Sequence, residues 1–293
     1  MKYATGAAFR QALGDQIRRL NLESGLPIDR IRKMVAFDRF LDRLLQMYPD
    51  LWVVKGGFAL QLRIGNQART TKDIDLLLRE EKIDVQGSLQ NAGFMDIGDW
   101  FSFEVPPSPG EAFGVPGVSR FYIRAILDGR LFESFHIDVG VGDPIVSPVD
   151  LLQSTDFLSF AGLKPVQIPC YPVNQQIAEK VHAYTKPRAS GDNTRVKDFV
   201  DILLLAGLSR IQFDDLIAAI NATFDFEDTH PIPNALPTPP DGWGRSFRRL
   251  SAEVGLEIIN IDDAYQRVKV FIEPVLLGQQ NVTEWHPDRW EWR

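Results

Sequence analysis

Val53-Val54-Lys55-Gly56-Gly57-Phe58-Ala59-Leu60 and Asp73-Ile74-Asp75-Leu76-Leu77-Leu78 are the two stretches that decide how this sequence is interpreted. The first predicts a short apolar strand that ends in two glycines, and such a pair lets the backbone come close to another group. A helix is predicted to follow over residues 58–64, and a polar loop over residues 65–72 leads into the second stretch. The sequence therefore predicts a strand–helix–strand unit at this point.

The second stretch places two carboxylates on one face of a strand. Because strand side chains alternate, Asp73 and Asp75 share a face while Ile74 points into a core. At a rise of ~3.3 Å per residue, the two carboxylates lie about 7 Å apart and repel each other when both are ionised. A divalent cation relieves that repulsion, and Mg²⁺ favours one or two carboxylates together with substrate phosphates.

The Asp-x-Asp pattern alone is also compatible with the solvent-facing side of an edge strand. The preceding Gly56-Gly57 pair changes that balance, since a glycine turn at a helix N-terminus presents backbone N–H groups to a triphosphate. Together, the two features favour a site for a nucleotide and its metal ion over a purely structural strand.

The composition of the whole chain is that of a globular protein. Its 293 residues are 44% hydrophobic and 24% charged, which is enough for a large core and two lobes. The single cysteine, Cys170, allows no internal disulfide and favours a reducing compartment. No run approaches about 18 apolar residues and the start lacks a signal-peptide pattern, so we expect a cytoplasmic protein without a membrane partner. The net charge of −7 argues against general nucleic-acid binding, although a local basic surface is compatible with it.

The apolar pattern predicts an α/β fold of the α+β type, followed by a helical lobe. Helices are expected at residues 7–22, 27–48, 58–64, 83–92, 175–184, 195–205, 212–224, 245–256 and 261–277. Strands are expected at residues 53–55, 73–78, 97–105, 121–127, 131–141 and 166–172, the last as an edge strand because of its prolines. We place the domain boundary near residue 170, with a mixed sheet flanked by helices in residues 1–170 and a helical lobe in residues 171–293.

The end of the chain holds three tryptophans, Trp285, Trp290 and Trp292. We expect them to pack the tail back onto the body of the protein. A role in stacking on nucleic-acid bases is the alternative.

A glycine pair followed by Asp-x-Asp on the next strand resembles the nucleotidyltransferase superfamily that includes DNA polymerase β. The wider string, residues 55–60 followed by Arg69 and residues 71–76, resembles more specifically the AbiEii/AbiGii family. Those proteins are nucleotidyltransferase toxins of bacterial toxin–antitoxin systems and include the mycobacterial MenT group. The resemblance implies a nucleotidyltransferase-type mixed sheet in the first domain.

Two later motifs in the same order extend the resemblance. Glu179-Lys180-Val181-His182-Ala183, with Arg188 downstream, matches a Glu-Lys-x-x-Ala helix of the family. Arg195-Val196-Lys197-Asp198-Phe199-Val200-Asp201 matches its Arg-x-Lys-Asp-x-x-Asp helix. Either helix alone is equally compatible with a solvated charged face, whereas the ordered set of three motifs is not.

The resemblance also implies a third carboxylate on a later strand. In residues 135–141 the odd positions are apolar, so His136 and Asp138 share the polar face, and Asp138 is the candidate. A solvent-facing aspartate at a strand end is the alternative. We expect His136 to be a structural imidazole, because Mg²⁺ prefers oxygen ligands.

The family assigns roles to residues that match its motifs. Asp73, Asp75, Lys180 and Asp198 are expected to be catalytic, and Asp73, Asp75 and Asp138 to bind the metal. Nucleotide binding is expected from Lys55, Gly56, Gly57, Thr71 and Arg188; for Lys55 and Arg188 the alternative is a plain surface cation. Asp198 is open to two roles, orienting Lys180 or contacting the nucleotide. The implied cofactor is Mg²⁺, with Mn²⁺ as a substitute, and the implied substrate is an NTP.

The resemblance further implies an activity and its partners. The expected reaction transfers an NMP from an NTP to an RNA acceptor, the 3′ end of a tRNA acceptor stem, and blocks translation. A cognate antitoxin encoded nearby is the expected protein partner. A basic set of residues would receive the RNA: Lys180, Lys186, Arg188, Arg195, Lys197, Arg245, Arg248 and Arg249. Two alternatives are a nucleotidyltransferase that modifies a small molecule or a protein, and a nucleotide-binding module without catalysis.

Overall fold

The structure is a computed structural model that describes residues 1–80, 82–107, 117–188, 194–279 and 281–293. The chain divides into two compact units. The first unit consists of Met1–Asn66, Thr70–Gly142 and Leu151–Cys170. The second unit consists of Gln67–Arg69, Asp143–Asp150 and Tyr171–Arg293.

The described residues of the first unit form four helices, and all four lie where the sequence predicts them. They are α1 (Gly6–Ser24), α2 (Ile28–Met47), α3 (Gly56–Ile64) and α4 (Val85–Phe94). Helix α1 begins where Thr5 caps it, because the Thr5 hydroxyl accepts a hydrogen bond from the Ala8 N–H at 3.2 Å. It ends at Gly25, whose φ of 71° is a left-handed conformation that glycine adopts without strain.

The strands of the first unit form a seven-stranded mixed sheet. The strands are β1 (Trp52–Lys55), β2 (Asp73–Leu78), β3 (Phe101–Glu104), β4 (Val118–Leu127), β5 (Arg130–Val141), β6 (Asp150–Gln153) and β7 (Gln167–Cys170). Their order across the sheet is β3-β4-β5-β2-β1-β7-β6. Strand β2 is antiparallel to β1 and parallel to β5, while β7 is parallel to β1. This mixed α/β architecture is the predicted one.

One sheet prediction is wrong. Strand β7 is not an edge strand, since β6 lies outside it. Strand β6 has only four residues and alternates between half-buried and exposed positions, so its sequence carries no strong strand signal. The sheet is therefore one strand wider than the sequence predicts.

One face of the sheet packs on the helices through aromatic side chains. The Phe37 ring of α2 lies 4.9 Å from Phe135 of β5, and Phe40 lies 5.2 Å from Phe103 of β3. Phe37 also lies 5.0 Å from Phe58 of α3, which ties that helix to the same core. Edge-to-face pairs of this kind stabilise a core beyond the burial of their area.

A buried ion pair fixes α2 to the loop before β3. Arg43 and Asp99 are both fully buried, and they form a two-pronged pair with N···O distances of 2.9 and 2.5 Å. Arg43 also donates to the carbonyl oxygens of Met95 and Phe101. The buried charge is thus compensated by a complete set of hydrogen bonds.

The second unit is mainly helical. Its helices are α5 (Val173–Thr185), α6 (Val196–Ala206), α7 (Phe213–Glu227), α8 (Trp243–Glu253) and α9 (Ile261–Leu276). A three-stranded sheet, in the order β10-β9-β8, comes from Ile211–Gln212 (β8), Glu284–His286 (β9) and Glu291–Trp292 (β10). Runs this short carry no alternation, which is why the sequence does not predict them. None of the described helices is long and apolar enough to cross a membrane.

The three tryptophans of the tail pack against this unit, as expected. Trp285 is fully buried, and its indole N–H donates to the Ala206 carbonyl at 2.7 Å. The indoles of Trp290 and Trp292 donate to carbonyl oxygens of α9 at 2.9 and 2.8 Å. The indole N–H groups of all three tryptophans thus form hydrogen bonds within the protein, which supports a structural role for them.

Replacing Asp99 with Ala should destabilise the protein by about 3–5 kcal/mol, because it leaves the Arg43 charge buried and unpaired. The matched control is Glu104→Ala, which breaks the pair with Arg124 in which both side chains are more than half exposed. That change should cost about 1 kcal/mol or less. Urea unfolding of both variants measures the difference, and equal losses would contradict the assigned role of the buried pair.

Candidate active site

The glycine turn and the carboxylate strand meet at Gly56 and Asp75. Strand β1 pairs with β2 so that Lys55 lies opposite Asp75, and the next residue, Gly56, begins α3. Gly56 has a φ of 64°, and a Cβ added to it would lie 1.9 Å from Asp75 Oδ2. Only glycine therefore fits here, both for its backbone conformation and for the space that the carboxylate occupies. The start of α3, with its N–H groups, is held directly beside this carboxylate.

Asp73 and Asp75 share the polar face of β2, as the sequence predicts. Both residues are half-buried, while Ile74 between them is fully buried in the core. Thr71 is also buried, and its hydroxyl lies 3.2 Å from Asp73 Oδ1 and 3.2 Å from the Asp73 carbonyl oxygen. The described contacts of Thr71 thus orient a carboxylate of the candidate site.

Asp138 lies next to this pair on the neighbouring strand. The parallel register of β2 with β5 sets Asp75 beside Asp138 and Asp73 beside His136. Three carboxylates from two adjacent strands consequently occupy one face of the sheet. The ring of His136 packs against Tyr122 at 4.4 Å, consistent with the structural role expected of that imidazole.

The sequence did not identify Arg120 as a partner of this site. Arg120 lies opposite Asp138 in the antiparallel pairing of β4 with β5 and binds it through two N···O contacts of 2.7 and 2.5 Å. The hydrogen bonds to Asp138 raise the pKa of Arg120 above its ordinary value, and the charges of Asp138 and Asp73 add to this effect. The only signal in the sequence was that Arg120 is a charged residue on the polar face of a strand with alternating side chains.

The donors at this face suit a hard divalent cation. Asp73, Asp75 and Asp138 offer only carboxylate oxygens, the ligands that Mg²⁺ prefers. Within the described ranges, however, no group of three or more His, Cys, Asp or Glu side chains is already arranged to hold a metal ion. The chemistry of the residues fits Mg²⁺ or Mn²⁺, provided that the Asp138 carboxylate exchanges Arg120 for the ion.

Lys180 lies at the centre of an ion-pair cluster in the second unit. Its ammonium on α5 lies 2.7 Å from Asp198 Oδ1 and 3.2 Å from Asp201 Oδ2, both on α6. Arg69 binds Asp201 through two contacts of 3.1 Å, across 132 positions of sequence. Arg195 lies 3.5 Å from the other oxygen of Asp198. The cluster brings together the two helical motifs that the sequence singled out.

The pKa shifts in this cluster favour the charged forms. Burial alone would lower the pKa of Lys180, but the charges of Asp198 and Asp201 outweigh it and raise the pKa above its ordinary value. Burial would raise the pKa of Asp198, but the ammonium of Lys180 lowers it. Lys180 is therefore a fixed cation at neutral pH, and the geometry favours an orienting role for Asp198.

Asp201 and Arg69 form a contact that the sequence did not predict. Asp201 is fully buried and is shared by Lys180 and Arg69. The sequence analysis named Asp201 only as the last residue of the Arg-x-Lys-Asp-x-x-Asp match. Its contact with Arg69 depends on the three-dimensional fold and cannot be read from local periodicity.

The other residues expected to contact the nucleotide lie at or next to the ends of β1, α3 and α5. Lys55 is the half-buried last residue of β1, and Gly57 is buried in the first turn of α3. Arg188 is half-buried after α5, and its Nε is buried without a hydrogen-bond partner among the described residues. A buried guanidinium nitrogen without a partner suits an anionic ligand.

His182, within the Glu-Lys-x-x-Ala motif, belongs to a separate cluster. Its Nε2 lies 2.8 Å from the Thr229 hydroxyl, and its ring lies 4.8 Å from that of His230. Burial, together with the charges of His230 and Lys186, lowers the pKa of His182 to about 4. The imidazole is therefore neutral at pH 7, which indicates a structural role for this part of the motif.

Comparison with known proteins adds a family and a fold. A family model described as nucleotidyl transferase AbiEii toxin, Type IV TA system, matches residues 39–282. Among solved structures, MenT4, a nucleotidyltransferase toxin from Mycobacterium tuberculosis H37Rv, is 16% identical with a TM-score of 0.57, covering 94% of this chain and 91% of that one. JHP933 from Helicobacter pylori is 15% identical with a TM-score of 0.45, covering 87% of this chain and 96% of that one. No curated protein sequence matches the chain.

Replacing Gly56 with Ala should raise the Kd for an NTP by at least about tenfold, which corresponds to a loss of about 1.4 kcal/mol of binding free energy. The reason is that the new Cβ displaces the Asp75 carboxylate. Gly65→Ala is the matched control, since Gly65 also has a positive φ, of 59°, but no atom within 4 Å of an added Cβ. Calorimetric titration with an NTP and Mg²⁺ compares the two. If both variants bind like the parent protein, the Gly56–Asp75 contact has no role in nucleotide binding.

Replacing Lys180 with Met should lower the free energy of unfolding by about 3 kcal/mol at pH 7, because Asp198 and Asp201 lose the buried cation that they share and keep only Arg195 and Arg69. The folded pKa of Asp198 lies below its ordinary value of 3.8, so its contribution is complete above pH 3.8 and is lost as the pH falls through the folded pKa. The difference between variant and parent should therefore shrink below that pH. Lys197→Met, an exposed change on α6, should stay within about 0.5 kcal/mol. A difference that is constant with pH, measured by urea unfolding, would exclude this coupling.

Proposed function

This chain belongs to the AbiEii family of nucleotidyltransferase toxins of type IV toxin–antitoxin systems, and from that premise we propose that it transfers an NMP from an NTP to the 3′ end of a tRNA, thereby blocking translation. The family implies a nucleotide substrate and a cognate antitoxin. We assign the antitoxin to a neighbouring gene and the reaction to the cytoplasm, where tRNA is available.

The observation that carries the proposal is the position of Gly56 against Asp75, with Asp73 on the same strand face and Asp138 in register beside Asp75. In the proposed complex, backbone N–H groups of Gly56 and Gly57 bind the β- and γ-phosphates at the start of α3. Mg²⁺ bound by Asp73, Asp75 and Asp138 would supply charge neutralisation at the leaving phosphates and activation of the acceptor hydroxyl.

The reaction itself is a displacement at the α-phosphorus. The acceptor hydroxyl oxygen forms a bond to the α-phosphorus, the bond from that phosphorus to the oxygen bridging to the β-phosphate breaks, and pyrophosphate leaves with the bonding electrons. The hydroxyl proton passes to solvent water as the new bond forms. We assign Asp138 to the side of the site that holds the acceptor hydroxyl. Asp73 and Asp75 are assigned to that side and also to the side that holds the leaving phosphates.

Lys180 is assigned to the phosphates of the nucleotide. Its pKa is raised, so it carries its charge at neutral pH, and Asp198 holds its ammonium at 2.7 Å. Asp198 therefore serves to orient Lys180 in the proposed mechanism, and Asp201 and Arg69 support that arrangement. Arg188 is the second phosphate contact, because its Nε has no partner among the described residues.

An RNA acceptor is supported by exposed basic residues of the second unit. They come from the start of α6 and from α8, and they are Arg195, Lys197, Arg245, Arg248 and Arg249. Lys180 does not belong to this set, because its side chain is only 12% exposed. Local cationic surfaces of this kind bind nucleic-acid phosphates even when the net charge, here −7, is negative.

The direct test incubates the protein with each of the four α-labelled NTPs, Mg²⁺ and total RNA. We expect the label to appear in RNA of tRNA size. Asp73→Asn should reduce the amount of labelled RNA by about 10²–10³-fold, which is the loss typical of removing one electrostatic contact to the reacting group. Asp29→Asn, an exposed change in the first turn of α2, is the matched control and should keep full activity.

Other outcomes of the same assay identify the alternatives. Label that appears only on a protein or a small molecule would replace the RNA acceptor with that class of acceptor. NTP binding without release of pyrophosphate would indicate a nucleotide-binding module. Loss of activity in Asp29→Asn equal to that in Asp73→Asn would reject the assigned role of Asp73.

A further inference from the structure

The polar face that carries the three carboxylates continues onto the next strand of the sheet, β4. On β4, Arg120, Tyr122 and Arg124 alternate with buried core residues and share this face. The registers form two rows across the sheet: Asp75, Asp138 and Arg120 in one, and Asp73, His136 and Tyr122 in the other. The second row leads from a candidate catalytic carboxylate to an aromatic ring.

Tyr122 is the exposed member of this row. It is 50% exposed, although the residues on either side of it are buried. Its ring centroid lies 4.4 Å from that of His136, with an angle of 71° between the planes. At about 4.8 Å between adjacent strands, the backbones of Asp73 and Tyr122 are about 10 Å apart. Such a distance is within the reach of one nucleotide.

Cations flank the ring along the same strand. The side chains of Arg120 and Arg124 are 42% and 51% exposed. Arg124 is paired with Glu104 at 2.5 Å, but both partners are about half exposed. A pair this open to solvent is worth at most about 1 kcal/mol and exchanges readily for a phosphate. An aromatic ring between two arginines is the type of surface with which proteins bind single-stranded nucleic acid.

We propose that Tyr122, oriented by His136, is a stacking platform for the base of the acceptor's last, unpaired nucleotide. The 3′-hydroxyl of that nucleotide would then lie over the row of carboxylates, and Arg124 would contact its phosphate. This inference rests on the proposed function, and it adds the part of the protein that holds the acceptor. Since every base has an aromatic face, the platform recognises a free 3′ end more than a particular sequence.

If Tyr122 and His136 formed a pair with a structural role only, replacing Tyr122 would have a different effect. Cross-strand aromatic pairs contribute to sheet stability, so removing Tyr122 in that case changes unfolding but leaves RNA binding unchanged. A stacking platform instead predicts a change in RNA affinity that depends on the aromatic ring and on an unpaired 3′ nucleotide.

The test measures binding of a labelled RNA hairpin with a single-stranded 3′ end by fluorescence anisotropy, without NTP. Tyr122→Ala should raise the Kd about tenfold, or about 1.4 kcal/mol, while Tyr122→Phe should stay within about twofold because the ring remains. Phe226→Ala on α7 is the matched control, since Phe226 is 49% exposed. A second hairpin, whose 3′ nucleotide is sealed in the duplex, should not distinguish Tyr122→Ala from the parent protein.

Each result decides the proposal. Equal RNA affinity of Tyr122→Ala and the parent, or equal losses in Tyr122→Ala and Phe226→Ala, would overturn it, as would absence of RNA binding by the parent. The transfer assay separates this from the proposed function. RNA bound through Tyr122 but never labelled rejects the transfer reaction and keeps the platform. Labelling with an unchanged KM for RNA in Tyr122→Ala rejects only the platform.

Discussion

The contact between Gly56 and Asp75 fixes the geometry of the candidate site in the first unit. The antiparallel pairing of β1 and β2 brings the end of one strand next to the carboxylate of the other. The chain can turn into α3 at that point only through a residue with a φ of 64° and no side chain. A helix N-terminus and a carboxylate, two groups with opposite preferences for a ligand's charge, are thereby held side by side. A phosphate and its cation together satisfy both.

The charges in both units follow from the same electrostatic requirement. A buried charge is costly unless it is paired, and in each unit a carboxylate of the candidate site is paired with a cation of the same unit. Arg120 neutralises Asp138 in the first unit, and in the second unit Lys180 is shared between Asp198 and Asp201. These partners keep the protein stable without a ligand. Binding a metal ion or a phosphate is then an exchange of partners, which costs less than exposing an unpaired charge.

Local patterns were sufficient for most of the secondary structure. The predicted helices are present because their apolar residues recur at helical spacing and their ends carry caps such as Thr5 and Gly25. The hairpin of β4 and β5 turns at Asp128-Gly129, a pair whose φ values of 51° and 70° suit a tight turn and whose sequence is a local turn signal. The short strands of the tail were not predictable, because they exist only where Trp285 is buried against the helices.

For the candidate site, the sequence by itself determined the chemical groups and their local directions: the glycine turn, the alternation that sets Asp73 and Asp75 on one face, and the charged faces of α5 and α6. Only the tertiary structure decided their partners. The pairing of Asp138 with Arg120 depends on strand register, and that of Arg69 with Asp201 joins residues 132 positions apart. Periodicity reports which way a side chain points within its own element. The residues that a side chain contacts depend on how distant elements pack against each other, and this packing is determined by the burial of the whole core.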